Sequence, residues 1–219
     1  DPLKHQAILL FLQALCSKGS FALDELKKTR LIWCTDNSLD VPSANIYIDS
    51  NVPTELAIAL SLKFIKAEIL DTQSILSPWL ISLGLQQLTT QNFIIEGLKF
   101  IKKITNLQPT PEQQNFILLF TRYLFKLFQR NQLNEVAWDL LIKELKVLTI
   151  HSKLQLPTQC YLANIYLPEQ SLQDEDALPT FPNFVSSDYA QAGDDMQQWK
   201  RFFMTLKVHG AIKMEVVNS

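Results

Sequence analysis

Apolar residues recur at helical spacing near the start of the chain, at Ile8, Phe11, Leu12 and Leu15. This predicts an opening helix that ends near Lys18-Gly19. Ser20 is placed to cap a second, short helix running through Lys28. The pattern then shortens to strand-like runs at Leu31 to Cys34 and Ala44 to Ile48, joined by the turn-rich Thr35-Asp36-Asn37-Ser38. These two runs are expected to pair as a hairpin, which is too small to stand alone.

Three further helices are expected between Thr90 and about Ile150. Ile94, Leu98 and Ile101 mark the first. The second opens on Thr110-Pro111-Glu112-Gln113, a capping-box layout with Pro at the first helical position. Its apolar stripe runs Phe116, Leu119, Phe120, Tyr123, Leu124, Leu127. Trp138, Leu141, Ile142, Leu145 and Leu148 mark the third. Consecutive amphipathic helices with short connections pack as a bundle. After Leu156-Pro157-Thr158 comes a strand-like Cys160 to Leu167. The polar stretch from Pro168 to Pro182, with its acidic Gln173-Asp174-Glu175-Asp176, reads as a solvated loop.

Laid against itself, the chain suggests an internal repeat. Ala44-Asn45-Ile46-Tyr47 recurs as Ala163-Asn164-Ile165-Tyr166, and Phe64 and Phe184 follow at nearly equal distance. Fifteen residues beyond each Phe stands a tryptophan, Trp79 or Trp199. Each leads into a short apolar helix closing on Leu83-Gly84-Leu85 or Leu206-Lys207-Val208. The closing helix of the second copy is expected to be the longer by about one turn. In this reading Tyr47 pairs with Tyr166 and Trp79 with Trp199. The aromatics are packing anchors, and Asp194 or Asp195 caps the second closing helix. The expected fold class is therefore mainly α (α+β), a helical bundle flanked by two related small β-hairpin-plus-helix units. Three domains follow: a first unit over 1–88, a three-helix bundle over 89–152 and a second, partial unit over 153–219.

Composition narrows the function classes. A chain of 219 residues with 47% hydrophobic and 19% charged positions can bury a full core. A net charge of -2 does not fit a nucleic-acid footprint. The basic groups Lys27, Lys28, Arg30 and Lys99, Lys102, Lys103 read as helix-flank charges. No apolar run reaches membrane length. Cys16, Cys34 and Cys160 form neither a zinc spacing nor a disulfide framework, so a reducing, cytoplasmic compartment is expected. Ile8 to Leu15 lacks the basic start and cleavage site of a signal peptide. The opening Asp1-Pro2, in place of Met, reads as a fragment of a larger protein.

Catalytic, cofactor-binding and metal-ligating residues are expected to be none. The five glycines form no phosphate loop. His5, His151 and His209 stand far apart, without a metal spacing. A Cys-His pair assembled from distant residues stays open at this point. A nuclease-like Glu-x-Lys occurs at Glu25-Leu26-Lys27, after Asp24, and at Glu144-Leu145-Lys146, after Asp139. Both lie in helical patterns, where a metal-dependent nuclease would need a strand.

A family resemblance is carried by Leu156-Pro157-Thr158, Ile165-Tyr166-Leu167-Pro168, Phe184-Val185-Ser186-Ser187-Asp188-Tyr189, Trp199-Lys200-Arg201-Phe202-Phe203 and Leu206-Lys207-Val208. Together these resemble a theme in the non-catalytic regions of the sacsin-like and NO VEIN-like proteins, large chains with a GHKL-type ATPase domain. The match spans Leu156 to Val208, with a weaker echo over Ile32 to Leu85. Lys207 stands where the theme has Gly. None of the family's ATP-binding motifs occurs in this chain. The resemblance implies a scaffold or protein-protein interaction region of a chaperone-like or defence protein, whose partners are other proteins or neighbouring domains. Two rivals are a free-standing helical module that binds a partner protein and, less favoured, the nuclease domain.

Overall fold

The computed structural model describes residues 1–19, 22–48, 52–70, 76–106, 108–166 and 183–210. Among them the chain is mainly helical, with eight α-helices and seven strands of two or three residues. It divides into two compact units, Asp1–Thr89 and Thr90–Ser219. The second takes together the three helices and the segment that follows them.

The first unit opens with α1 (Pro2–Ser17), whose first turn is capped by the Asp1 carboxylate accepting from Leu3 N at 3.1 Å. The short α2 (Leu23–Leu26) starts from Ala22 without a side-chain cap. The expected cap, Ser20, lies outside the described residues, and the helix is shorter than its pattern predicts. Strands β1 (Ile32–Trp33) and β2 (Leu39–Asp40) form an antiparallel hairpin in which Ile32 faces Asp40 and Trp33 faces Leu39. The hairpin therefore closes on Leu39-Asp40, not on Ala44 to Ile48. The tight turn leaves Asn37 at φ 65, a left-handed conformation that Asn tolerates.

Strand β3 (Ile46–Ile48) instead lies between β4 (Lys63–Phe64) and β5 (Gln86–Gln87), parallel to both. Parallel neighbours need crossovers. One crossover carries α3 (Thr54–Ala59). The other carries a 3-10 turn, Ala67–Ile69, and α4 (Leu76–Leu83). An antiparallel bridge, Cys34 to Ile65, ties the hairpin to β4. Leu9, Ile32, Cys34, Ile69 and Leu80 are fully enclosed at the centre of this unit.

In the second unit, α5 (Thr90–Lys102), α6 (Pro111–Gln129) and α7 (Glu135–Glu144) form the three expected helices. The capping box at Thr110 is formed in both directions, with Gln113 as its other member. The third helix ends earlier than expected. Leu145 turns to an extended conformation, and Leu148 belongs to β6 (Val147–Leu148), which pairs antiparallel with β7 (Leu154–Gln155). Of the strand expected over Cys160 to Leu167, the described residues keep only Tyr161, which bridges Phe184 and His209 in parallel; Leu167 lies outside them. Tyr166 sits in a 3-10 turn, Asn164–Tyr166. A further 3-10 turn, Ser187–Tyr189, leads to α8 (Met196–Thr205), capped by Asp195.

Both units use one pairing scheme. Thr35 N donates to Phe64 O (2.8 Å) as Ile150 N does to Phe184 O (2.9 Å). Lys66 N donates to Trp33 O (3.0 Å) as Ser186 N does to Leu148 O (2.9 Å). Ile65 N donates to Tyr47 O (3.0 Å) as Val185 N does to Tyr161 O (2.9 Å). The left-handed turn positions correspond as well: Asn37 with Ser152, and Gly84 with Lys207. The closing bonds Leu85 N to Leu80 O and Val208 N to Phe203 O match Leu80 to Phe203. This register places Tyr161, not Tyr166, opposite Tyr47, and Phe202, not Trp199, opposite Trp79. The identical tetrapeptides thus occupy unrelated positions. The Trp199 position corresponds to Leu76, one turn before Trp79 in its helix; as described, the second closing helix is the longer, with ten residues against eight.

The correspondence reaches the opening helices. Lys18 and Arg130 close α1 and α6 with the same dihedrals, φ -88 and ψ 2. Left-handed Gly19 and Asn131 follow, at φ 69 and 55. Counting back from these caps sets Leu9 opposite Thr121, and both are fully buried. α1 packs on the Ala67–Ile69 turn and α4; α6 packs on the Ser187–Tyr189 turn and α8.

Candidate functional site

In the first unit the hairpin turn and β4 bring charged side chains together. Lys63 Nζ lies 2.7 Å from Asp40 Oδ2 and 3.4 Å from Asp36 Oδ2. Ser38 bridges the two acids, its hydroxyl donating to Asp36 Oδ1 at 2.6 Å or to Asp40 Oδ2 at 2.9 Å. Hydrogen bonds from the Ser38 side chain and backbone, then Lys63, hold Asp36 below the usual carboxylate range. Lys63 first, then Ser38, does the same for Asp40. The bond to Asp40 raises the Lys63 ammonium in turn. On the same turn Lys66 Nζ sits 4.1 Å above the Trp33 ring and donates to Asn37 Oδ1 at 2.6 Å, a cation–π contact reinforced by a hydrogen bond.

This cluster stands at the rim of a cleft of about 660 Å³, lined among others by Thr35, Asp36, Ala57, Ile58, Lys63 and Phe64. Apolar side chains and the Asp36–Lys63 pair line the same cleft, an arrangement able to hold an apolar group beside a polar one. The second unit has no such cluster at the matching positions. His151, Lys153, Gln155 and Asn183 stand where the first has Asp36, Ser38, Asp40 and Lys63. Since the pairing scheme forms in both units, the ion cluster is an addition to the fold and not a requirement of it. No single position announces it. Asp36 and Ser38 read as turn residues, and Lys63 joins them only through the long-range bridge that ties the hairpin to the end of β4.

The residues singled out in sequence are mostly committed to the fold. Trp79 and Trp199 are buried. Asp195, accepting from Gln197 and Gln198 N, is the cap expected of one of the two acids, while Asp194 Oδ2 accepts from Trp199 Nε1 at 2.9 Å. Tyr166 OH donates to Ser186 O (2.6 Å), and Tyr189 OH accepts from Leu148 N (2.7 Å). Burial raises both phenols well above their ordinary range. His5 Nε2 donates to Leu31 O at 2.8 Å and His209 Nε2 to Thr158 O at 2.9 Å; His151 is exposed. Glu25 lies on α2, where Asp24 pairs with Lys27 at 3.4 Å. Glu144 ends α7, and neither Glu-x-Lys lies on a strand. Lys99 pairs with Glu96 at 2.7 Å. The acidic run Gln173 to Asp176 lies outside the described residues. Among the described residues no three His, Cys, Asp or Glu side chains are grouped to hold a metal ion, and no helix is long and apolar enough to cross a membrane.

Cys34 and Cys160 are enclosed, and burial pushes their thiols from 9.0 up to about 11 and about 12. Neither supplies a thiolate nucleophile near neutral pH. A raised thiol pKa in the folded state stabilises the fold fully below about 9, and that contribution is lost as pH rises through about 11 and 12. Denaturant midpoints should therefore fall between pH 8 and 11, and less steeply in Cys160→Ala. In the native protein at pH 8, iodoacetamide should modify half-buried Cys16 first. Alkylation of Cys160 at the rate of a free thiol would contradict its enclosure.

Comparison with family models, with curated proteins and with solved structures finds no match.

Proposed function

We propose that this chain is a non-catalytic scaffold and interaction region of a larger ATPase-type protein, built as two copies of one structural unit. The shared pairing scheme carries the reading. Hairpin, bridge, central strand position, 3-10 turn and closing helix recur in the same order, with left-handed residues at matching turns. Further support comes from the polar groups that could do chemistry. Tyr166, Tyr189, Asp194, Asp195, His5 and His209 each spend a hydrogen bond on holding the fold. Repeated modules are suited to hold partners or neighbouring domains. The link to a GHKL-type ATPase rests on the resemblance over Leu156 to Val208. It would fall if the flanking coding sequence held no such domain, leaving the free-standing binding module as the reading.

The assay is direct. Purified chain incubated with ATP, and separately with DNA, in magnesium should release no phosphate and make no cuts above a buffer control. Cleavage that disappears in Glu25→Ala or Glu144→Ala would establish the nuclease reading in its place.

A further inference from the structure

The register between the units assigns an occupant to an uncovered helix face. In the second unit α5 lies on α6. Phe93 meets Phe120 and Tyr123 at ring distances of 5.5 and 5.0 Å, and Phe100 meets Phe116 at 4.1 Å. Gly97 lets the two helices close in, since a β-carbon there would fall 2.2 Å from the Phe120 ring. The matching positions on α1, counted from the same cap, are Ile8 for Phe120, Phe11 for Tyr123 and Lys4 for Phe116. On α1 this face is open: Ile8 is 55% and Phe11 64% exposed. Phe120 and Phe116, by contrast, are buried.

We propose that this face of α1 receives an amphipathic helix from a partner protein, seated antiparallel as α5 is on α6. The differences between the two faces specify the partner's chemistry. A large apolar side chain rests on Ile8 and Phe11, as Phe93 does on their counterparts. Four residues on, a glycine or alanine faces Ile8, which is smaller than Phe120. Seven residues on, where Phe100 stacks on Phe116, a carboxylate meets the Lys4 ammonium. Such anchors at i, i+4 and i+7 are how a helix docks in a groove. The inference deepens the interaction half of the proposed function and rests on the same two-copy register. The enzymatic assay reads that function independently.

The probe is a helix-stapled peptide spanning Thr90–Lys102 with Phe100→Glu, titrated into the full chain and followed by amide chemical shifts. Shifts centred on α1 are expected, with Phe11→Asp weakening binding roughly tenfold or more while the melting midpoint stays unchanged. Lys4→Glu should also weaken it, and a Phe100→Lys peptide should restore it. Three results would overturn the proposal. One is no α1 shift at millimolar peptide. Another is binding indifferent to Phe11→Asp and Lys4→Glu. The third is a chain that sediments as a dimer dissolved by Phe11→Asp, which would assign the face to a second copy.

Discussion

Trp199→Ala is expected to destabilise the second unit by about 3–5 kcal/mol, the cost of emptying a large aromatic site in a packed core. The side chain is almost wholly buried. It stacks on Phe125 with ring centroids 3.7 Å apart and planes 11° from parallel, and it stacks again on Phe203 at 5.4 Å. Tyr166, Tyr189 and Phe202 complete the surround. No partner change offsets the loss, because α6, α8 and both 3-10 turns contribute to the same cluster. Trp199→Phe should cost much less. Most of the buried area survives, and Asp194, deprived of the indole donor, still accepts from Gln191 N at 2.8 Å. Urea denaturation of the two variants decides the matter. A wild-type midpoint for Trp199→Ala would remove the residue from the core and make it a contact for something outside.

The second large effect is expected at Gly97. In an isolated helix Gly→Ala gains about 1 kcal/mol. Here the added β-carbon would meet three atoms of the Phe120 ring at 2.2, 2.3 and 2.9 Å. Displacing a ring that also packs on Phe93 and Phe116 should reverse the sign and cost about 3 kcal/mol, the upper part of the range for overpacking. Phe120→Leu should recover a large share of that loss in the double variant, since the two sites are in contact and are not additive. If Gly97→Ala were neutral or stabilising, α5 would not lie on α6 as described. The template for the partner helix on α1 would go with it.

The helices were legible because each writes its buried stripe and its caps into adjacent residues. Thr110 to Gln113 is the clearest case, and Asp195 another. The strands were not. Two-residue strands have no periodicity to read, and β3 takes its partners from residues well beyond its own neighbourhood, at Phe64 and at Gln86. A hairpin between Leu31 to Cys34 and Ala44 to Ile48 was the natural local expectation, yet Leu39-Asp40 lay closer and the turn at Asn37 suited it. α3 writes no such stripe, its six residues being too few. The Asp36–Lys63–Asp40 cluster was hidden for the same reason as β3. Tyr47 and Tyr166 end an identical string of four residues, whereas backbone hydrogen bonds follow the pairing geometry regardless of side-chain identity. Phe64 and Phe184, matched in the sequence, do correspond in the bridges.

The middle position of β3 governs the order in which its unit can assemble. The β1–β2 hairpin closes a short loop, so little chain entropy is lost before its hydrogen bonds form. β3 gains nothing until the chain has travelled through α3 to bring back Phe64, and again through α4 to bring back Gln86. With two paired residues on each side, neither encounter alone repays the closure of its loop. The three parallel strands should therefore come together only once α1, α4 and the hairpin already enclose Leu9, Ile69 and Leu80. Sheet pairing would be the final step of a hydrophobic collapse rather than its seed. The rate of folding is then set by how fast the crossover helices dock, and hardly at all by the strands they deliver.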